Sequence, residues 1–258
     1  MDASRMTLSR SFHVVIVVCV LSAGLPVHQV VHAQDSLAVP RTGRSTVGAI
    51  AMDAVSVVPA GFLWLMNHEL GHYTFASISG AKNPRIGIWK AKPEGGFMLG
   101  WTEWDNQLSD GGNAATSLGG VVFSRGLAEG VDLLTSNVRM PSWSQPFLAT
   151  MFILGRFDFA RYVLFDALHN VMGSPGSDID AFVTSVAGEE GFGRVFTYGV
   201  LLTVATLDLV WDWDRISVYG HILGGDDYPY AGSGVQARLT ITPVVVGRAA
   251  GIHMTFAW

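Results

Sequence analysis

Four stretches of the chain combine helical length with apolar character: Thr46–Met66, Ala114–Leu134, Phe147–Met172 and Phe196–Trp211. The first holds 21 residues with Asp53 as its only charge, enough for a helix across a hydrocarbon core of about 30 Å. The other three carry interior charges: Arg125, Glu129 and Asp132; then Arg156, Asp158, Arg161 and Asp166; then Asp208. Each central charge costs roughly 2.5–3.5 kcal/mol on insertion scales. These groups must therefore pair, face a wet cavity, or sit in helices that do not span. Arg125 with Glu129 and Asp158 with Arg161 have the helical spacing to pair.

Between the first two helices, Asn83–Trp104 is rich in Gly and aromatic residues and predicts short strands or a hairpin. The segments Val235–Val246 and Gly251–Trp258 alternate, with the turn-rich stretch GGDDYPYAGSG before them. Residues 214–258 accordingly predict a β-rich C-terminal tail. At the other end, Arg5 and Arg10 precede the apolar run Val14–Leu21, and Val31-His32-Ala33 fits a small-residue cleavage site. Residues 1–33 read as a secretory signal, with an uncleaved first anchor as the alternative, and residues 34–45 read as an exposed polar arm. The prediction is a mainly α polytopic membrane bundle of about four helices over residues 46–213, with a small β hairpin after the first helix and the β-rich tail.

Composition supports this class. Charged residues make up 14% of the chain and hydrophobic ones 49%, against about 25% charged in an ordinary soluble domain. The net charge of −5 offers no basic face for phosphates, so nucleic-acid binding is not expected. The single cysteine, Cys19, lies inside the leader, and its removal excludes disulfides and thiolate metal sites from the mature chain. The three lysines Lys82, Lys90 and Lys92 cluster in the hairpin region with Arg85, which places the hairpin on the cytoplasmic side. Several Trp lie near the ends of predicted helices, as interfacial anchors would. Gly126 and Gly130 form a small-xxx-small spacing that could permit close helix approach, although 30 glycines make chance matches common.

His68-Glu69-Leu70-Gly71-His72 carries the chemistry. On a helix, positions i and i+4 share a face, so both imidazoles can ligate one zinc ion while Glu69 reaches a bound water. At this chain's His and Glu frequencies, a chance HExxH arises roughly once in two hundred such sequences. A third protein ligand would leave the fourth position to water. The third His of the extended metzincin pattern is absent, and a carboxylate is expected: Glu129, Asp178, Asp180, or one of Asp208, Asp212 and Asp214.

The HExxH at the end of an apolar helix, the Gly-rich hairpin, Gly119-Gly120 on the second helix and the later run Asn170-Val171-Met172-Gly173-Ser174-Pro175-Gly176-Ser177-Asp178 together resemble the site-two-protease class of intramembrane zinc metalloproteases. That family completes its site with an aspartate in the pattern Asn-x-x-Pro-x-Pro-x-x-Asp-Gly. Asn170, Pro175 and Asp178 keep the spacing; Gly173 replaces the first Pro and Ile179 the final Gly. The resemblance spans about residues 50–180 and implies Asp178 as third ligand, with Asn170 orienting substrate or the Asp178 loop. It also implies a membrane-tethered or transmembrane polypeptide substrate, with the hairpin at 83–104 as an edge for an extended segment. An outside N-terminus brings His68 and Asp178 to the same membrane face, as a shared site demands.

These features predict a zinc endopeptidase of a bacterial inner membrane, with His68, His72 and Asp178 as ligands, Glu69 as general base and the lipid bilayer as partner. Two other readings stay open. One is an exported peripheral zinc hydrolase with Glu129 as third ligand. The other is a non-enzymatic membrane scaffold.

Overall fold

The computed structural model describes residues 46–91, 97–172, 177–225, 237–246 and 249–257. The leader, the arm, the predicted hinge at 173–176 and the turn around Asp226 lie outside them.

Among the described residues, six helices and two small sheets follow one another: α1 Thr46–Ile78, β1 Arg85–Ala91, β2 Phe97–Glu103, α2 Asp110–Asn137, β3 Val138–Arg139, α3 Gln145–Met172, α4 Asp178–Ala187, α5 Phe192–Trp211, α6 Trp213–Leu223, β4 Ala237–Val246 and β5 Ala249–Ala257. The four predicted helices all form, as α1, α2, α3 and α5, and the first extends well beyond the predicted Met66. The predicted hairpin is present as the antiparallel pair β1–β2, with Arg85 opposite Glu103 and Ala91 opposite Phe97. In the tail, β4 pairs antiparallel with β5 and parallel with the two-residue β3. Among the described residues, pairing in the tail starts at Ala237. Residues 213–223 are helical because Ile216, Tyr219 and Ile222, three apart, bury a single face.

α1 and α2 meet where neither has a side chain. A Cβ on Gly71 would overlap the carbonyl oxygen of Gly119, and one on Gly119 would collide with the Gly71 carbonyl. The axes approach closely because these residues lack side chains. Gly126 and Gly130 do not serve this purpose: a Cβ at either would meet nothing within 4 Å.

Apolar packing falls into two groups. Ala128, Leu148, Phe152, Ile216 and Tyr219 join α2, α3 and α6. Ala114, Val163, Ile179, Phe182 and Leu201 join α2 to α5. The phenol of Tyr219 stacks on Phe152, with centroids 3.9 Å apart, and its hydroxyl donates to Asp132.

Charged groups lie inside. Arg156, Asp158, Asp166 and Asp212 are each 1% exposed, whereas Val58 is 74%, Phe192 83% and Trp211 78% exposed. Arg156 bridges Glu129 and Asp212, Arg125 reaches Glu129, Asp208 and Asp212, and Arg215 contacts Glu129, Asp132 and Asp212. Both pairs expected from helical spacing form, Arg125–Glu129 at 3.5 Å and Asp158–Arg161 at 3.0 Å. Among the described residues one helix, α5, is long and apolar enough to cross a membrane by length and composition.

Three substitutions test this packing. Gly71→Ala gains helix propensity but forces the α1–α2 contact apart, and should lose about 1–3 kcal/mol. Gly126→Ala, facing open space, should be neutral or stabilising by up to about 1 kcal/mol. Arg156→Ala removes one of the three arginines that share the Asp212 and Glu129 carboxylates and should destabilise the fold by less than the roughly 3–5 kcal/mol of a fully unpaired buried charge. Denaturation of the purified protein followed by circular dichroism measures all three.

Candidate metal centre

The HExxH motif lies on the later turns of α1, and its spacing puts both imidazoles on the face turned towards α2. His68, Glu69 and His72 are buried. The nitrogens His68 Nε2 and His72 Nε2 stand 3.0 Å apart. Asp178 Oδ2 lies 3.2 Å from the first and 3.1 Å from the second. Three ligand atoms from α1 and α4 thus form a nearly equilateral triangle, and the group could hold a metal ion.

Three features of the donor set suit zinc. Tetrahedral zinc with bonds of about 2.0–2.1 Å separates its ligand atoms by about 3.3 Å, close to the triangle observed. Both Nδ1 atoms are engaged elsewhere, His72 Nδ1 donating to the Thr116 carbonyl at 2.6 Å and His68 Nδ1 lying 2.7 Å from Asp158 Oδ2. With the protons on Nδ1, both Nε2 lone pairs face the centre. Finally, a Cβ on Gly120 would sit closer to both Nε2 atoms than real Cβ contacts allow. The wall of the centre is bare backbone. The residues fit a divalent ion.

Asp178 occupies the first turn of α4, whose N-cap is Ser177. The helix terminus favours an anion there. The α4 terminus is itself fixed by Asp166, which accepts from the Ser177 hydroxyl and from the Asp180 backbone N–H at 2.9 Å.

Glu69 is adjacent but is not one of the three converging ligands. Thr102 Oγ1, on β2, donates to Glu69 Oε2 at 2.8 Å and lies 3.1 Å from its carbonyl oxygen. A Cβ on Gly100 would come within 2.7 Å of Glu69 Oε1, so the hairpin both grips this carboxylate and leaves it room.

The other candidate ligands are engaged away from the two histidines. Glu129 holds Arg156 at 2.5 Å and Arg215 at 3.3 Å. Asp180 pairs with Arg194 and accepts from Tyr198. Asp208 and Asp212 belong to the arginine cluster, and Asp214 is exposed on α6. Asn170 falls in the last turn of α3, where the side chain lies outside the described residues.

Sequence reasoning misses Thr102, Thr116 and Asp158, and takes Gly120 only as part of the Gly119-Gly120 pair in the resemblance. Thr116 acts through its backbone and so leaves no residue-type signal. Asp158 had a detectable one: an acidic residue in an apolar helix with more to satisfy than a neighbouring arginine.

No family model, curated protein or solved structure matches this chain.

The purified protein should carry about one zinc ion by mass spectrometry. His68→Ala, Asp178→Ala and Gly120→Ala should each remove it, the last without altering any ligand, while Gly130→Ala should retain it.

Proposed function

We propose that this protein is a membrane-integral zinc endopeptidase that hydrolyses membrane-tethered or transmembrane polypeptides. The convergence of His68, His72 and Asp178 on one point, with Glu69 beside it on the same helix turn, carries this reading. Three protein ligands favour catalysis over a structural role, since structural zinc sites almost always use four.

Zinc bound there would lower the pKa of a water molecule and polarise the scissile carbonyl. Glu69 takes the proton of the attacking water and delivers it to the departing amine. Thr102 holds Oε2 of this carboxylate, leaving Oε1 on the side that Gly100 keeps open. Asn170, near the end of α3, orients substrate or the Asp178 segment.

The distribution of polarity supports a membrane setting. In water, a fold that buries Arg156, Asp158, Asp166 and Asp212 and exposes Val58, Phe192 and Trp211 would be inverted; in lipid, charges face the bundle interior and apolar side chains face outward. Helices α1, α2, α3 and α5 are the proposed spans. Trp211 and Trp213, both exposed at the α5–α6 junction, fit an interfacial level. A bacterial inner membrane, reached through the N-terminal leader, is the proposed location. The basic residues near β1 would face the cytoplasm.

Glu69→Gln should lower peptide hydrolysis by about 10²–10⁴-fold while zinc stays bound. Full activity of that variant in zinc-loaded protein would refute the mechanism. Alkaline carbonate should leave the protein in the membrane pellet, and release into the wash would refute the spanning bundle.

A further inference from the structure

We propose that Asp158 is the positioning residue of the metal ligand His68: its carboxylate sets the tautomer and the plane of the imidazole, so that Nε2 meets the metal with its lone pair. This rests on the metal-centre reading above and extends it to a residue that touches neither the metal nor substrate.

A neutral imidazole has one N–H and one lone pair. For His68 to ligate through Nε2, its proton must reside on Nδ1. Asp158 Oδ2 lies 2.7 Å from that nitrogen, and an ionised carboxylate only accepts hydrogen bonds. It therefore requires the N–H to be there. Ser124 Oγ, at 3.3 Å from the same atom, can donate or accept and so selects neither tautomer.

The ring plane is held from the same helix. Tyr162, one turn after Asp158 on α3, stacks on His68 with centroids 5.4 Å apart and planes 22° from parallel. One residue of α3 thus grips the edge of the imidazole and another its face. The second oxygen of Asp158 accepts from Arg161 at 3.0 Å. Arg161 in turn lies over the rings of Trp64 at 5.1 Å and Tyr162 at 4.4 Å.

A carboxylate needed only to pair with Arg161 would have no reason to be buried, since Arg161 itself is 41% exposed. The Asp158 side chain is 0% exposed and divides its oxygens between the two partners. The two ligands are oriented by different means. His72 is held by a neutral backbone carbonyl, whereas His68 is held by an anion, which raises the basicity of the ligating nitrogen. Asp158 also contributes negative charge to the surroundings of a buried divalent ion, and Arg161 limits the excess.

The test uses the full chain in detergent, with zinc affinity measured by competition against a chromophoric chelator and Co²⁺ bound in place of zinc for visible absorption. Asp158→Ala should weaken zinc binding by about 10–100-fold, with one ion recovered at saturating zinc. Asp158→Asn preserves volume and should weaken binding less, while shifting the Co²⁺ bands; it also serves if the alanine variant fails to fold. A role limited to folding would lower the melting temperature and leave affinity and spectrum unchanged. Wild-type affinity and an unshifted spectrum in Asp158→Asn, at matched folding, would overturn the assignment. Absence of zinc from the wild type after supplementation would instead overturn the metal centre, and this assignment with it.

Discussion

At Gly71 and Gly119 two helices touch backbone to backbone, and the geometry of the candidate site depends on that contact. His72 can donate to the Thr116 carbonyl, and both Nε2 atoms can face the backbone of Gly120, only if α2 lies this close to α1. A side chain at any of the three glycines would separate the helices or fill the space where the ligands converge. Close approach of small residues is the usual means of packing helices in lipid, where no hydrophobic force draws them together. Here the close approach also shapes the candidate metal site.

A second constraint is that the interior must neutralise its own charge. Three arginines and four carboxylates at the α2–α3–α5–α6 junction satisfy one another, Arg156 and Asp212 almost wholly out of solvent. Such pairs add little net stability over an apolar core of the same shape, because desolvation cancels most of their attraction. Their effect is on specificity: any slip in helix register separates a buried charge from its partner. A site whose ligands come from α1 and α4, and whose supports come from α2, α3 and β2, depends on that register.

Legibility in the sequence followed the length scale of each interaction. The four long helices, the hairpin and the two tail strands could be read, because the helices are long apolar stretches, the hairpin is rich in Gly and aromatic residues, and the tail strands alternate. α4 and α6, of 10 and 11 residues, were missed as separate helices since their apolar faces are too short to stand out. The HExxH spacing was legible because it is local to one helix. Asp178 stands out from the other candidate carboxylates only through resemblance to a known pattern, as nothing near it in sequence points to His68, 110 residues away. Gly126 and Gly130 show the converse. A motif read from spacing alone fell on open space, while Gly71 and Gly119, on different helices, made the contact.

The four charges of α3, costly in an apolar helix, find their explanation in three dimensions. Asp158 reaches His68, and Arg161 engages the other oxygen of Asp158. Asp166 accepts from Ser177 and Asp180 and so fixes the start of α4, the turn that carries Asp178. Arg156 alone points into the arginine–carboxylate cluster. Three of the four thus act on the two ends of the same ligand set, one through His68 and one through Asp178, with Arg161 balancing the first. Because all three sit on one helix, α3 supports the α1 ligand through Asp158 and the start of α4 through Asp166, about 12 Å apart along its axis over eight residues. α3 supplies none of the three converging atoms, yet it holds groups from both elements that do.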